Sequence, residues 1–288
     1  MIDIQNHIGG GAVESLSDER QDVLNPATGE CIATVPIGVA ADVDHAVEAA
    51  QRAWKDWADT PALERSGCLS RLADLIDRNA DELAAAETDN NGKPLALARE
   101  FEVPRAAANF RFFAGAILHS SSESYDLGEQ GMNYTLRRPR GVAGCISPWN
   151  LPLYLFTWKV APALATGNTV VAKPSEVTPL SAYMLGELAL ESGIPPGVFN
   201  IVHGHGNTVG ARIVEHPDVP TITFTGGSRT GAHIASVAGA MFKRTSLELG
   251  GKNPIIICED ADLEAAMPTV VRACFQNSGQ ICTCGSRI

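Results

Sequence analysis

Apolar positions recur every three or four residues from Asp42 to Trp57. Val43, Ala46, Val47, Ala50, Ala53, Trp54 and Trp57 share one helical face, with Asp42 placed to cap it. Thr60-Pro61 opens a second helical stretch to about Asn79. Ala80 to Thr88 reads as a third, closed by Asn90, Asn91, Gly92 and Pro94. A longer helix is predicted from Leu95 to about His119. Residues 120–140 change character: a serine-rich polar start, then Gly128 and Gly131 beside an alternating run from Asn133 to Arg138, the pattern of an exposed hairpin or arm.

Beyond Arg140 the period switches between two and 3.6. Buried strands are predicted at Val142 to Ile146, Thr169 to Ala172, Val198 to Val202, Thr221 to Phe224 and Pro254 to Cys258. Helices are predicted near Tyr154 to Ala165, Pro179 to Ser192, Thr208 to Glu215, Ser228 to Val237 and Asp262 to Phe275. Such alternation implies an α/β fold with a parallel sheet covered on both faces.

A chain of 288 residues predicts about two domains at roughly 150 residues each. Twenty-two Lys plus Arg against 33 Asp plus Glu give a formal charge of −11, which argues against nucleic acid or an anionic membrane surface as the main partner. An anionic small molecule stays open, because local basic residues can line a pocket. The seven cysteines are scattered, and Met1-Ile-Asp-Ile-Gln lacks the basic and apolar blocks of a signal peptide, so a cytoplasmic location with reduced thiols is expected. Val142 to Ala172 is interrupted by Pro148, Pro152, Lys159 and Pro162, and no membrane span is expected.

Several short segments carry chemistry. Phe224-Thr225-Gly226-Gly227 stands where a strand gives way to a helix, a turn that lets backbone N–H groups approach a pyrophosphate; structural glycines are an equal reading. Gly204, Gly206 and Gly210 form a looser set. Lys173-Pro-Ser175-Glu176 follows a strand at the end where open sheets bind ligands, so Lys173 and Glu176 suit ribose hydroxyls and the carboxylate repels a 2′-phosphate; a routine ion pair is the alternative. Cys282 on a glycine-containing loop is a candidate nucleophile, against the commoner fate of a buried, inert thiol. No metal site is expected, since Cys274, Cys282 and Cys284 lack the paired spacing of zinc ligands. Glu248 between Leu247 and Leu249 suggests an apolar setting for a general base, and Asn150 after a buried strand offers an amide to an oxyanion. An outward-facing Glu and a turn-forming Asn are the alternatives.

Taken in order, Ser147-Pro-Trp-Asn-Leu-Pro152, Lys173-Pro-Ser-Glu176, Phe224-Thr-Gly-Gly227, Leu247-Glu-Leu-Gly-Gly-Lys252 and Gly279-Gln-Ile-Cys282 resemble the aldehyde dehydrogenase superfamily from about Leu24 onward. The resemblance implies a Rossmann-like doubly wound parallel sheet. It implies an NAD-binding domain at 1–119 and 141–249, a β-hairpin oligomerisation arm at 120–140, and from 250 to 288 the start of a truncated α/β catalytic domain with the nucleophile loop. By the same resemblance Cys282 is the nucleophile, Glu248 the general base, Asn150 with the Cys282 N–H the oxyanion hole, and Lys159 a supporting residue.

For the cofactor, NAD rather than NADP, the implied contacts are Ile146, Ser147, Pro148, Trp149, Lys173, Ser175, Glu176, Gly206, Gly210, Phe224, Thr225, Gly226, Gly227, Leu249 and Gly250. Gly227 replaces a serine of many relatives. Asn109-Phe-Arg-Phe-Phe-Ala114 and Cys282-Thr-Cys-Gly-Ser-Arg287 resemble the branch that oxidises 2-aminomuconate or 2-hydroxymuconate 6-semialdehyde, making Arg111 a candidate grip on a substrate carboxylate; a surface salt bridge is its other reading. The chain stops six residues past Cys282. Full-length relatives are homo-oligomers, a state not expected of this chain, and feeble turnover or none is expected of it. A dinucleotide-binding remnant and a non-enzymatic interaction protein are the competing readings.

Overall fold

Strands buried on both faces read as unbroken apolar runs, and here they form the middle of one sheet. The computed structural model describes residues 1–288. β1 (Ile2–Asp3), β2 (Asn6–Ile8), β3 (Gly11–Val13), β4 (Arg20–Leu24) and β5 (Cys31–Pro36) precede α1 (Ala40–Asp59), α2 (Ala62–Arg78), α3 (Ala80–Asn91), the single turn α4 (Leu95–Leu97) and α5 (Val103–Ala116). β6 (Ser124–Asp126) and β7 (Met132–Tyr134) form an exposed antiparallel hairpin within 120–140. β8 (Val142–Ile146), α6 (Pro152–Ala165), β9 (Thr169–Lys173), α7 (Leu180–Glu191), β10 (Phe199–Ile201), α8 (Ala211–Glu215), β11 (Thr221–Gly226), α9 (Ser228–Ala240) and β12 (Arg244–Leu249) then alternate. β13 (Asn253–Pro254), α10 (Leu263–Phe275) and β14 (Gly285–Arg287) complete the order.

The main sheet has seven strands in the order β12-β11-β8-β9-β10-β2-β3. From β12 to β10 all pairs are parallel, and β2 joins β10 antiparallel. The chain runs outward from β8 through β9 to β10, then returns to the other side of β8 for β11 and β12. That reversal makes the carboxyl ends of β8 and β11 a topological switch point, where open α/β sheets hold ligands.

Alternation along the strands assigns the two faces. Ala143, Cys145, Val170 and Ala172 pack under α2, α5, α6 and α7, with Phe110, Phe156 and Leu164 among the enclosed side chains. Val142, Ile146, Val171, Ile222 and Phe224 pack under α1, α8 and α9. Gly144 lies on the second face, where an added Cβ would stand 2.5 Å from Ile213 Cγ2, so the close seat of α8 requires glycine there.

Four expectations need adjustment. α1 starts at Ala40, before Asp42; the Asp42 carboxylate reaches back to the Val39 N–H at 2.9 Å and also accepts from Ser15 Oγ and the Leu16 N–H, tying the N-terminal segment to the helix. The long helix over 95–119 is broken by a wide turn at Ala98–Glu102, where the Val103 N–H reaches the Ala98 carbonyl; Pro104 cannot donate and so cannot continue the regular ladder. The strand expected at Pro254 to Cys258 is confined to β13, which pairs with the three-residue β14. β12 has no apolar signature because it is the sheet's exposed edge.

Candidate active site

One side of the site is the crevice at the switch point, a cleft of about 990 Å3 lined by Ile146, Glu176, Gly206, Gly210, Phe224 and Arg229 among others. Lys173 ends β9 on the face of α1 and α9, is buried, and donates to Glu176 Oε2 at 2.9 Å and to the Pro174 carbonyl at 2.8 Å. Burial lowers the Lys173 pKa, opposed by Glu176. Burial alone would raise the Glu176 carboxyl, but the Lys173 charge, with hydrogen bonds to the carboxylate, holds it below the usual range. Glu176 keeps 31% of its side chain exposed, so it can both anchor Lys173 and face the cleft.

Gly227 is the N-cap of α9, and the first-turn residues Arg229 and Thr230 border the same cleft, so N–H groups and the positive end of the helix dipole lie beside it. An added Cβ at Gly226 would stand 2.4 Å from the Phe224 ring. Ser147 is buried with its hydroxyl unpartnered. Ser175 Oγ instead accepts the Val177 N–H within its turn. Pro148 is half-buried, and the exposed Trp149 offers its carbonyl to Asn91 Nδ2 at 2.9 Å. Leu249, opposite Gly226 in β12, packs on Gly231 of α9, and Gly250 lies exposed just beyond it.

The other side lies on the opposite face of the same carboxyl edge. β11 and β12 pair Thr225 with Glu248, and Thr225 Oγ1 accepts from the buried Lys159 ammonium of α6. Burial pushes Lys159 down to about 8, with Cys145 and Glu248 opposing the shift. Glu248 is exposed, which corrects its expected apolar setting. Adjacent residues of a strand point to opposite faces, so the flanking leucines turn away: Leu247 packs on the α9 side and Leu249 meets Gly231.

Asn150 Nδ2 donates to the Gln280 carbonyl at 2.6 Å, and the Asn150 carbonyl accepts from Asn277 Nδ2 at 2.9 Å, so the Asn150 turn is bonded twice to the Cys282 loop. Asn277 and Ser278 are left-handed, at φ 52° and 57°. Asn253 Nδ2 donates to the Cys282 carbonyl at 2.6 Å, which brings the segment after Glu248 onto the same loop. The Cys282 thiol is exposed, and its N–H meets no protein acceptor. The Asn150 turn and the segment that follows Glu248 thus both reach the Cys282 loop, although no side chain of Asn150, Glu248 and Cys282 hydrogen-bonds another.

Arg111 is not brought here. Its guanidinium meets Asp74 at 2.7 Å and Asp77 at 2.6 Å, both on α2, and the hydrogen bonds it donates to those carboxylates raise its pKa. The surface-salt-bridge reading is the one realised, because α5 turns that face toward α2.

The aldehyde dehydrogenase family profile matches residues 13–288. The chain belongs to the aldehyde dehydrogenase family. Among aldehyde dehydrogenase relatives, 2-aminomuconic semialdehyde dehydrogenase of Danio rerio is 49% identical over 286 residues, covering 99% of this chain and 58% of its own length. The 2-hydroxymuconic semialdehyde dehydrogenase of Pseudomonas sp. (strain CF600) is 46% identical over 288 residues, covering 98% and 59%. An aldehyde dehydrogenase of Bacillus cereus solved as its NAD+ complex superposes with a TM-score of 0.96 at 40% identity, over 99% of this chain and 58% of that one. The chain therefore spans about 58% of the length of such relatives.

Some residues that line the cleft or tie the loop carry no sequence signal of their own. His205 lines the cleft with Nδ1 3.6 Å from Glu176 Oε1, and Arg229 and His233 border it. His203, fully buried behind Lys173, is pushed down to about 3 by burial and then by the charges of Lys173 and Arg20. Gln280 lies inside the Gly279-to-Cys282 motif and Asn277 two residues before it, where the cysteine is the residue with evident chemistry. No helix is long and apolar enough to cross a membrane.

Proposed function

We propose that this chain binds NAD in the switch-point cleft and uses Cys282 to oxidise an aldehyde to its carboxylic acid, with a muconate-type semialdehyde as substrate class. The observation that carries the reading is the convergence of the Asn150, Glu248 and Cys282 segments on the same sheet edge as the cleft. The pair of buried Lys173 with part-exposed Glu176, the open start of α9 and the unpartnered Ser147 hydroxyl suit a dinucleotide's ribose and phosphates. Glu176 at the ribose position favours NAD over NADP, because a 2′-phosphate would meet its charge.

The Cys282 thiolate adds to the carbonyl carbon, and the oxygen becomes an oxyanion. Asn150 Nδ2 has two N–H groups; Gln280 holds one, which aims the second, and the free Cys282 N–H is the other donor. NAD, which Lys173, Glu176 and the start of α9 would hold, would supply the two-electron hydride acceptor needed to convert the thiohemiacetal on Cys282 into a thioester. Glu248 takes a proton from water, the water oxygen attacks the thioester, and the thiolate leaves as the acid is released. Lys159, bonded to Thr225 beside Glu248, holds positive charge under the carboxylate.

A muconate semialdehyde carries a carboxylate, and Arg105 is the α5 cation that suits it: its guanidinium lies 5.2 Å from the Tyr154 ring centre and 3.1 Å from the Tyr154 hydroxyl, on the helix that follows Asn150. With 2-hydroxymuconate semialdehyde and NAD, a burst of NADH is expected from the wild type and none from Cys282→Ala; equal traces overturn the reading. Arg105→Ala is expected to raise KM for that substrate about tenfold, with no change for an uncharged aldehyde, whereas Arg111→Ala changes neither.

A further inference from the structure

Three charged side chains are sealed from solvent where the reaction does not need them. Glu87 near the end of α3 and Glu102 at the end of the wide turn are fully enclosed, and Lys93 lies between them with 1% of its side chain exposed. Lys93 Nζ meets Glu87 Oε2 at 3.1 Å and also Glu102 Oε2. The other oxygens face α6: Glu87 Oε1 accepts the Leu153 N–H at 3.1 Å, and Glu102 Oε1 accepts the Tyr154 N–H at 3.4 Å.

Leu153 and Tyr154 follow Pro152, which opens α6 and has no N–H to satisfy. The N-cap is Leu151, which offers no side-chain acceptor. The two carboxylates therefore serve the first-turn donors that a helix cannot pair internally, and they bring negative charge to the positive end of its dipole. The wide turn at Ala98–Glu102 is what delivers Glu102 to this position.

Stability alone does not explain the arrangement, since buried ion pairs often do no better than packed hydrophobic side chains. Hydrogen-bonded carboxylates fix the direction in which a helix starts, which apolar packing does less sharply. α6 starts two residues after Asn150 and carries Lys159. Asn91, two residues before Lys93, also donates to the Trp149 carbonyl at 2.9 Å, so the same region grips the turn from its other end.

We propose that Glu87, Lys93 and Glu102 are positioning residues: a buried acid–base–acid bridge that caps α6 and so holds the Asn150 amide against the Cys282 loop. Only the kinetic consequence rests on the aldehyde-oxidation reading. None of the three touches the reacting atoms, and each acts through α6 and Asn150.

The test uses the full 288-residue chain. Glu87→Gln and Glu102→Gln keep shape but present an amide to Lys93, and each is expected to slow single-turnover NADH formation about tenfold. The NAD-induced rise in melting temperature is expected to stay, because that cleft lies on the other face. In an Asn150→Ala background the same changes should add less than about twofold; independent, multiplying losses overturn the proposal. Leu83→Ala on α3, destabilising but uncharged, is the control and should leave the rate per folded molecule unchanged.

Cys282 alkylation by iodoacetamide, followed on its own peptide, runs the same cycle without turnover. Glu102→Gln should alter that rate about threefold, in the same direction as Asn150→Ala, and not further in the Asn150→Ala background. If the wild type forms no NADH, aldehyde oxidation falls and the alkylation cycle decides the positioning role alone. Equal Cys282 reactivity in wild type and both Gln variants overturns it. Should a Gln variant fail to fold, Glu102→Asp, which keeps the charge and shortens its reach, carries the cycle.

Discussion

The switch-point cleft and the Cys282 loop, proposed above as cofactor site and nucleophile, sit on one sheet edge yet are held in opposite ways. Lys173 and Phe224 belong to strands paired on both sides and covered by helices, so the cleft shares the stability of the core. Residues 250–288 have only the short β13–β14 pair as regular pairing, and α10 turns Leu263 (57% exposed), Met267 (47%), Val271 (52%) and Phe275 (69%) to solvent. The Cys282 loop is joined to the sheet side by the bonds between Asn150 and Gln280 and between Asn277 and Asn150. Asn277 and Ser278 keep a left-handed backbone that costs about 1–2 kcal/mol per residue, and the Asn277 amide bond helps to hold it. In this chain the switch-point cleft is thus part of the core, while the Cys282 loop beside it is held to the sheet by a few polar ties.

The contrast is open to direct attack. Leu164→Ala, in the enclosed layer under α6, is expected to cost about 2–5 kcal/mol in urea unfolding, whereas Val271→Ala on the exposed face should stay within about 0.5 kcal/mol. Comparable losses would make 250–288 part of the same cooperative unit and erase the distinction. Asn150→Ala removes an oxyanion donor and a tether together, so NADH formation should fall about a hundredfold, about 3 kcal/mol, while NAD still raises the melting temperature. Loss of the NAD effect would show that the two halves are coupled.

The smallest effect is one of pH. Lys159 titrates near 8 in the folded chain against an ordinary 10.5, because burial disfavours its charge. Between those values the unfolded chain keeps a proton that the folded chain has released, so this group makes stability rise with pH across the window. Lys243, also pushed down to about 8 by burial, adds to the same rise. Lys159→Met should shrink the gain in melting temperature between pH 8 and 10 without abolishing it; an unchanged gain assigns the effect elsewhere.

The central strands were legible because burial on both faces removes polar alternation, and the amphipathic helices because burial on one face imposes a period. β12 escaped because an edge strand such as Arg244–Leu249 is mostly polar, and before α1 the strands β1, β2 and β4 mix polar with apolar residues in place of an unbroken apolar run. The wide turn at Ala98–Glu102 has no sequence period of its own. Glu248 misled because its sequence neighbours are leucines, yet its strand points them away. Glu87, Lys93 and Glu102 carry no signal in the sequence, since only the tertiary fold seals them together.

The antiparallel pairing of β2 with β10 sets His7 beside Ile201, 194 residues later. On a ribosome adding roughly 5–20 residues per second, the first strand waits about 10–40 s before its partner has been synthesised. Asn6, whose side chain accepts the His203 N–H in the finished protein, has no such donor until then. The β2–β10 seam is thus a clasp whose second half is made late, although the partners of the neighbouring residues, β5 for β1 and Asp42 for Ser15 and Leu16, are made far sooner.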